Sequence, residues 1–314
     1  MSLLFMFPGQ GAQRPGMLHS LIAHPAVAQT LEQTSQVLGS DCLDLDSAVS
    51  LESTVAVQLC LLIAGVAMAR VFAAHQIVPD MVAGLSIGAF PAAVAAGVLE
   101  YPDALRLVLR RAGLMEQAYP SGYGMAAISG LHRSELEPLI QVVHAVHNPV
   151  FLANLNAPTQ MVISGSVPAL EQVMALSLQR GATRAQRLAV NVPSHCPLFD
   201  EAAGTMQTEL AAVKAQRPAL IYLSASAARA LYDPVKIKYD LANNMSMQVH
   251  WFETLRLAWE RGARLALEMP GGSVLSNLAS SQWNEGLALS SDNSRFDTML
   301  TLARRELEMS DRGT

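Results

Sequence analysis

The sequence is poor in charged residues, aromatic residues and cysteine. Of 314 residues only 15% are charged and 5% are aromatic, whereas 51% are hydrophobic. Few charges combined with many apolar residues argue against disorder and indicate a well-buried α/β core. The net charge is −5 and no Lys/Arg run is present. Nucleic acid is therefore not an expected partner.

The cysteines and the glycine motifs exclude several kinds of site. Cys42, Cys60 and Cys196 have no paired spacing, so the sequence predicts neither a disulfide framework nor a zinc site. A reducing cytoplasm fits this usage. No P-loop and no G-x-G-x-x-G motif is present. We therefore expect no metal and no permanently bound nucleotide cofactor.

Long hydrophobic segments are also scarce. The most apolar run covers residues 55–69, contains Gln58 and falls short of the roughly 20 residues that a membrane span needs. A buried helix is expected there, and no membrane partner. The first residues, "MSLLFMFPGQG", are apolar but have no basic leader. They predict a first buried strand and not a signal peptide.

The order of the strand and helix patterns predicts two domains, one inserted into the other. Strand and helix patterns alternate in the first part of the chain, with helical patterns from about Pro15 and over 53–74. From about residue 124 to 190 the order is β-α-β-β-α-β, the split βαβ unit of ferredoxin-like domains. Alternation of helices and strands then resumes. We predict a large α/β-hydrolase-like domain with a parallel sheet, residues 1–123 and 191–314, carrying a small ferredoxin-like domain, residues 124–190.

One serine stands between two glycines at the end of a predicted strand. The segment Gly84-Leu85-Ser86-Ile87-Gly88 matches the G-x-S-x-G nucleophile elbow. The glycines let the turn close, and the amide of Ile87 would be placed to bind an oxyanion. A Gly-Ser turn without chemistry is the alternative interpretation.

A serine nucleophile needs a base, and His195 is the candidate that stands apart from the other seven histidines. It lies in "NVPSHCPLFD", where the inserted unit rejoins the large domain, a position suited to a base at the edge of a cleft. His250 precedes Trp251 at a helix start, where a packing role is expected. An ordinary loop histidine remains the alternative for His195.

Arg111 lies on a long amphipathic helix among apolar neighbours at three- and four-residue spacing. An arginine on such a face needs a partner. The partner could be a structural carboxylate. It could also be a carboxylate that arrives with the substrate, bound in the bidentate manner of guanidinium.

Six blocks together resemble the malonyl-CoA:acyl carrier protein transacylase family over nearly the whole chain. They are "FPGQGAQRPGM", "GLSIGA", "RRAGLMEQA", "ANLNAPTQMVISG", "VPSHC" and "EMPGGSVLSNL". The resemblance implies Ser86 as nucleophile and His195 as general base. It implies Gln10 with the amide of Ile87 as the oxyanion hole. It implies Arg111 as the ligand of the malonyl carboxylate.

The resemblance also implies the reaction and its partners. Malonyl-CoA is the implied substrate, and the implied partner is an acyl carrier protein with a phosphopantetheine-type thiol. The family orients its histidine with a backbone carbonyl, at a position that matches the neighbourhood of Met247 here.

Departures from the family pattern bear on the subtype. The family usually has His before the nucleophile and Glu three residues after it, where this chain has Leu85 and Ala89, and "PGG" replaces the usual Gly-Pro-Gly turn. On these residues the sequence resembles the transacylase subunit of bacterial malonate decarboxylase more than the enzyme of fatty-acid synthesis. The alternatives are the same transfer for fatty-acid or polyketide synthesis, an α/β-hydrolase esterase or thioesterase, and a carrier-binding scaffold without activity. The esterase is disfavoured because no histidine follows His250.

Overall fold

The computed structural model describes residues 2–11 and 13–311, which form ten β-strands and eleven α-helices. The strands are β1 (Ser2–Phe7), β2 (Met81–Gly84), β3 (Tyr123–Ser129), β4 (Val150–Ala157), β5 (Gln160–Ser166), β6 (Arg184–Arg187), β7 (Ile221–Ser224), β8 (Arg229–Leu231), β9 (Ala263–Glu268) and β10 (Leu287–Ser290). The helices are α1 (Pro25–Leu38), α2 (Thr54–Ala74), α3 (Ala89–Ala95), α4 (Tyr101–Ala118), α5 (Arg133–Val143), α6 (Val167–Arg180), α7 (Asp200–Ala212), α8 (Pro234–Asn243), α9 (Trp251–Glu260), α10 (Val274–Gln282) and α11 (Phe296–Asp311).

The larger sheet has six strands in the order β10-β9-β1-β2-β7-β8. The first five are parallel, and β8 pairs antiparallel with β7. Apolar clusters cover both faces of this sheet, as the runs "LLFMF" and "MVAG" require. From β1 the chain continues to β2 on one side and later to β9 on the other. A ligand cleft is expected outside the carboxyl ends of strands at such a switch point.

The smaller sheet has four strands in the order β4-β5-β3-β6, all antiparallel. Its elements follow one another as β3, α5, β4, β5, α6 and β6. One face packs against α5 and α6 through an apolar cluster that contains Ile128, Leu136 and Leu170. The other face is turned toward the carboxyl ends of β1 and β2.

Helix α2 is the central helix of the core. It has 21 residues and its buried positions surround the helix on all sides. By length and composition it is the one helix of the described chain that could cross a membrane, and 83% of its most apolar window is buried inside the protein. The expectation of a buried helix is confirmed. The length argument behind it was wrong, because the helix continues past the apolar run to Ala74.

Several elements differ from the predicted ones. The first helix begins at Pro25 and not near Pro15, because Gly16 takes a left-handed conformation with φ +74° and the chain turns there. Four elements were not predicted: β8, α8, β10 and α11. Of these α8 matters for function, since its C-terminal end reaches the candidate site.

Candidate active site

Ser86 lies in a sharp turn between β2 and α3. Its backbone has φ +57°, a left-handed conformation that is strained for a residue with a side chain. A side chain at either flanking glycine would clash with the backbone. A Cβ on Gly84 would lie 2.1 Å from the backbone of Gly88, and a Cβ on Gly88 would lie 2.1 Å from the carbonyl oxygen of Phe7. The turn has the features of a nucleophile elbow.

His195 lies in the loop after β6 and is also left-handed, with φ +65°. The side chain is only 3% exposed. Its Nδ1 contacts two carbonyl oxygens, 2.6 Å to Asn244 and 3.2 Å to Met247. Because both partners are acceptors, Nδ1 carries the proton and Nε2 is left as the acceptor. The carbonyl expected near Met247 is present, but the shorter bond is to Asn244.

Electrostatics keep His195 neutral. Burial first, and the nearby Arg111 charge second, lower the pKa of His195 to about 4, although the two carbonyl hydrogen bonds act to raise it. A neutral imidazole is the form that can accept a proton at pH 7.

Arg111 is fully buried on α4, and its three hydrogen-bond acceptors are neutral groups. Its guanidinium donates to Gln58 Oε1 at 2.6 Å, to Asn244 Oδ1 at 3.0 Å and to Ser86 Oγ at 3.4 Å. Its Nε has no hydrogen-bond partner. Within the described chain no carboxylate forms a salt bridge with it. Burial lowers the pKa of Arg111 to about 9, so the group is charged at neutral pH.

A structural ion pair, one of the two alternatives considered for Arg111, is therefore absent from residues 2–11 and 13–311. A buried charge without a counter-ion is costly. Here the charge lies beside the candidate nucleophile, so an anion that enters the site would be its partner.

Gln10 lies in the loop after β1, close to the same point. Gln58 Nε2 donates to Gln10 Oε1 at 3.1 Å. This bond uses the Gln10 side-chain oxygen, and Gln10 lines the cavity that contains Ser86. Ile87 follows Ser86 at the start of a short helix, where backbone amides have no intrahelical acceptor. The role of Gln10 and of the Ile87 amide as oxyanion donors stays a prediction.

Two further residues connect the site and were not predicted. Gln58 joins Arg111 to Gln10 through its amide oxygen and nitrogen. Asn244 joins three groups: its carbonyl oxygen binds His195, its Oδ1 binds Arg111, and its Nδ2 donates to the carbonyl oxygen of Ser86 at 3.2 Å. Gln58 could have been singled out from the sequence, because it is a polar residue inside an apolar run. Helix α8, which precedes Asn244, could have been predicted from Asp233-Pro234, a pair typical of a helix start.

The site opens into a cleft between the two sheets. Ser86, His195 and Gln10 line one small cavity, and Leu85 and Asn154 belong to its wall. A larger cavity of about 360 Å³ continues outward and shares Gln10, Leu85 and Asn154. Its volume is in the range of small-molecule sites. Among the described residues no cluster of three His, Cys, Asp or Glu side chains could hold a metal ion.

An α/β fold with a serine at a strand–helix elbow, and a buried neutral histidine lining the same cavity, is typical of serine-dependent acyl-transfer enzymes. Comparison with known proteins gives the particular family. The acyl transferase domain family matches residues 4–306.

Similar proteins agree with this assignment. The malonyl CoA-acyl carrier protein transacylase of Haemophilus influenzae is 37% identical over 282 residues, 87% of this chain and 89% of that protein. FabD from Acinetobacter baumannii superposes with a TM-score of 0.91 at 34% identity over 97% and 99% of the two chains. A malonyl-transacylase solved with a type II PKS acyl-carrier protein gives a TM-score of 0.89 at 33% identity over 96% and 99%. This chain belongs to the acyl transferase domain family, which confirms the resemblance seen in the sequence.

Proposed function

We propose that the protein transfers a malonyl group from malonyl-CoA to the phosphopantetheine thiol of an acyl carrier protein, through a malonyl ester on Ser86. The observation that carries the proposal is Arg111. Its buried guanidinium contacts Ser86 Oγ and has no counter-ion among residues 2–11 and 13–311. A malonyl group supplies the missing carboxylate, whereas an acetyl group does not. The similar proteins named for malonyl transfer support the same substrate.

Each half-reaction exchanges one acyl bond for another. Ser86 Oγ attacks the thioester carbonyl carbon while His195 Nε2 takes the hydroxyl proton. The oxyanion that forms accepts hydrogen bonds from the Ile87 amide and the Gln10 side chain. The C–S bond then breaks, and His195 returns the proton to the coenzyme A thiolate.

The second half-reaction reverses these steps with a new thiol. The carrier thiol enters, His195 takes its proton, and the sulfur attacks the malonyl ester. The ester C–O bond breaks and Ser86 Oγ recovers the proton. The two carbonyl oxygens on Nδ1 hold the imidazole in one tautomer throughout.

We also propose the domain division and fold types predicted from the sequence. Residues 1–123 and 191–314 form the α/β-hydrolase-like domain, and residues 124–190 the ferredoxin-like one. The strand order β4-β5-β3-β6 and the two helices on one face of that sheet support the second assignment. Proposed with these is a cytoplasmic location, which the three unpaired, buried cysteines support.

The identity of the carrier is a finer proposal. Leu85 and Ala89 replace polar family residues beside the nucleophile, and Leu85 lines the cavity. On these residues we propose the carrier subunit of malonate decarboxylase. A carrier of fatty-acid or polyketide synthesis is the alternative, which the similarity to a transacylase solved with a PKS carrier supports. Parallel assays with purified carriers of the three kinds would decide, and preference for a fatty-acid or polyketide carrier would overturn the finer proposal.

Acyl loading of Ser86 tests the proposed function. Malonyl-CoA without an acceptor should leave one malonyl adduct, which intact mass and peptide mapping would locate on Ser86. The Ser86→Ala variant should show none. Added carrier should then remove the adduct and gain its mass. An adduct elsewhere, or one that persists in the variant, would overturn the nucleophile assignment.

A further inference from the structure

The turn between β9 and α10 borders the cleft but takes no part in the proposed chemistry. It contains the PGG segment, which stands where the family usually has Gly-Pro-Gly. Gly271 and Gly272 have φ +128° and +103°, values that residues with a side chain rarely adopt. Gly271 lines the outer cavity together with Val274 and Leu275 of α10. The conformation of this turn therefore shapes one wall of the cleft.

A buried carboxyl group that the proposed mechanism does not use holds this turn. Glu268 is the last residue of β9 and is 0% exposed. Its two oxygens accept the backbone amides of Leu275 at 3.1 Å and of Ser276 at 2.7 Å. Ser273, the residue before α10, makes no side-chain capping bond. Glu268 therefore caps α10 from the preceding strand and fixes the start of the helix relative to the sheet.

A second carboxyl group binds the same turn. Asp292, which follows β10, accepts the amide of Gly272 at 2.8 Å and that of Gly271 at 3.4 Å. Its carboxylate also lies 3.9 Å from the guanidinium of Arg14, in the loop after β1. Asp292 thus holds the glycines of the turn, while Glu268 holds the start of the helix that follows them.

The turn packs on the segment Pro8-Gly9-Gln10. A Cβ on Gly271 would lie 2.9 Å from Pro8 Cγ, so the backbone of the turn lies against Pro8. The next residue, Gly9, packs as closely on the nucleophile elbow, since a Cβ there would lie 2.7 Å from Leu85 Cδ2. The segment that bears Gln10 therefore contacts both the turn and the elbow. Because such close packing leaves little free space, a displaced turn would move Gln10 relative to the nucleophile.

We propose that Glu268 is a positioning residue for acyl transfer. By capping α10 it holds the turn against Pro8, and so it keeps Gln10 at the place that oxyanion binding needs. The inference rests on the proposed function, in which Gln10 donates to the oxyanion. An oxyanion donor stabilises the transition state only at a defined distance from the developing charge. The effect of Glu268 on the rate therefore passes through Gln10.

Loading of Ser86 by malonyl-CoA, followed by intact mass in a single turnover without acceptor, measures this effect. Glu268→Gln keeps the size of the side chain but leaves only one oxygen to accept a helix amide. The loading rate should fall by roughly 10- to 100-fold. The fraction of protein loaded at completion should stay the same, because it counts the folded sites.

The pH of these assays follows from the burial of the carboxyl group. Burial raises the pKa of Glu268 to about 7, although the hydrogen bonds from Ser276 and Leu275 lower it. The assays are therefore run at about pH 8, where the carboxyl group is ionised.

A double substitution tests whether the effect passes through Gln10. Gln10→Ala alone should lower the loading rate by roughly 100-fold, as expected for the removal of one oxyanion donor. In that background Glu268→Gln should lower the rate by less than about threefold, because the group that it positions is gone. A purely structural role of Glu268 would instead multiply the two separate losses, and that result would overturn the inference.

Asp292→Asn loosens the same turn and keeps the inference testable if Glu268→Gln folds poorly. Its loading rate should fall by about 2- to 10-fold, and this loss should also vanish when Gln10 is replaced by alanine. Asp80→Asn is the matched control, because Asp80 likewise accepts a backbone amide, that of Leu3 at 2.8 Å, at the opposite end of β1. It should leave the loading rate unchanged.

The order of the measurements separates the inference from the proposed function. Wild-type loading by malonyl-CoA comes first, and its failure would count against the proposed function itself. An unchanged rate in Gln10→Ala would remove the oxyanion role of Gln10 and the inference with it. Normal loading and a slow Gln10→Ala variant, combined with an unchanged rate in Glu268→Gln, would overturn the positioning role alone.

Discussion

Arg111 and Asp240 are both buried ionisable groups, but their surroundings differ. Asp240 lies on α8, and Arg111 contacts Asn244, the residue that follows α8. Asp240 accepts hydrogen bonds from Tyr222 at 2.9 Å, from Ser224 at 2.6 Å and from Ser226. Arg111 donates to three neutral acceptors and keeps an unpaired Nε. Neither group forms a salt bridge within residues 2–11 and 13–311.

The difference separates a buried group that its own fold satisfies from one that we propose binds the substrate. A carboxyl group can take up a proton, and burial indeed raises the pKa of Asp240. A guanidinium keeps its charge. Asp240 is also enclosed by donors from its own fold, whereas Arg111 touches the serine of an open cavity. The two clusters are joined through α8, since Asn244 donates its amide to the Asp240 carbonyl at 2.9 Å.

Among substitutions in the site that contains Arg111, loss of the proposed base should lower malonyl transfer the most. His195→Ala removes the proposed proton acceptor of Ser86, and malonyl transfer should fall by roughly 10⁴-fold. Some activity should remain from the oxyanion hole. Steady-state transfer to the carrier is the measurement, with His250→Ala as the control. Near-normal activity in His195→Ala would move the role of base to His250.

Removal of Arg111 tests directly whether its missing counter-ion is the substrate. Arg111→Ala should cost malonyl transfer about 2–5 kcal/mol, as expected for a truncated buried charge pair. Transfer from acetyl-CoA should fall little or rise, because acetyl has no carboxylate to lose. Arg111→Lys should recover only part of the malonyl activity, since a point charge does not reproduce the planar fork. The measurement is kcat/KM for both thioesters.

The comparison between malonyl-CoA and acetyl-CoA also distinguishes a substrate-binding Arg111 from a structural one. An equal loss for malonyl and acetyl, in variants whose thermal unfolding shows them folded, would make Arg111 structural. Malonyl specificity would then need another origin.

Substitution of Asn244, which contacts Arg111, should lower malonyl transfer by a smaller factor. Asn244→Ala keeps the backbone carbonyl that orients His195 but removes the side-chain bonds to Arg111 and to the Ser86 carbonyl. We expect malonyl transfer to fall about 10-fold, the order of one or two hydrogen bonds to a charged group. Asn243→Ala is the matched control, because the Asn243 side chain bonds Tyr239 and Gln207 and none of the residues assigned to the site. Equal losses in the two variants would contradict a positioning role.

The sequence could predict the local parts of this site but not its connections. The two glycines around Ser86 are close along the chain, and their steric requirement can be recognised from five letters. The parallel sheet and the order of elements in 124–190 follow from periodicity in the same way. The family resemblance predicted that Arg111 and Gln10 belong to the same site as Ser86.

The contacts of Asn244 and Gln58 depend on elements far apart in sequence. Asn244 lies 133 positions from Arg111 and 158 from Ser86. No local spacing relates such residues. Helix α8 itself was missed although Asp233 caps its first turn, since its exposed and polar positions gave no clear apolar period.

Asp240 should give the smallest effect on activity and a pH-dependent effect on stability. Asp240→Asn should change malonyl transfer by less than about threefold, because the Asp240 side chain bonds only groups of its own cluster. The pKa of Asp240 is raised in the folded state. Its favourable contribution to stability is therefore present below the ordinary carboxyl pKa and lost as pH rises through the raised value.

Asparagine stays neutral at all these pH values and lacks this loss. The free energy of unfolding of Asp240→Asn relative to wild type should therefore rise between pH 4 and pH 8. Urea unfolding at several pH values measures this difference, and Tyr222→Phe is the control that removes one donor but keeps the carboxyl group. A constant difference across pH would mean that Asp240 keeps its ordinary pKa in the folded protein. The three hydroxyl donors would then cancel the effect of burial on the Asp240 pKa. The remaining difference would be that Arg111 contacts a residue of the open cavity and Asp240 does not.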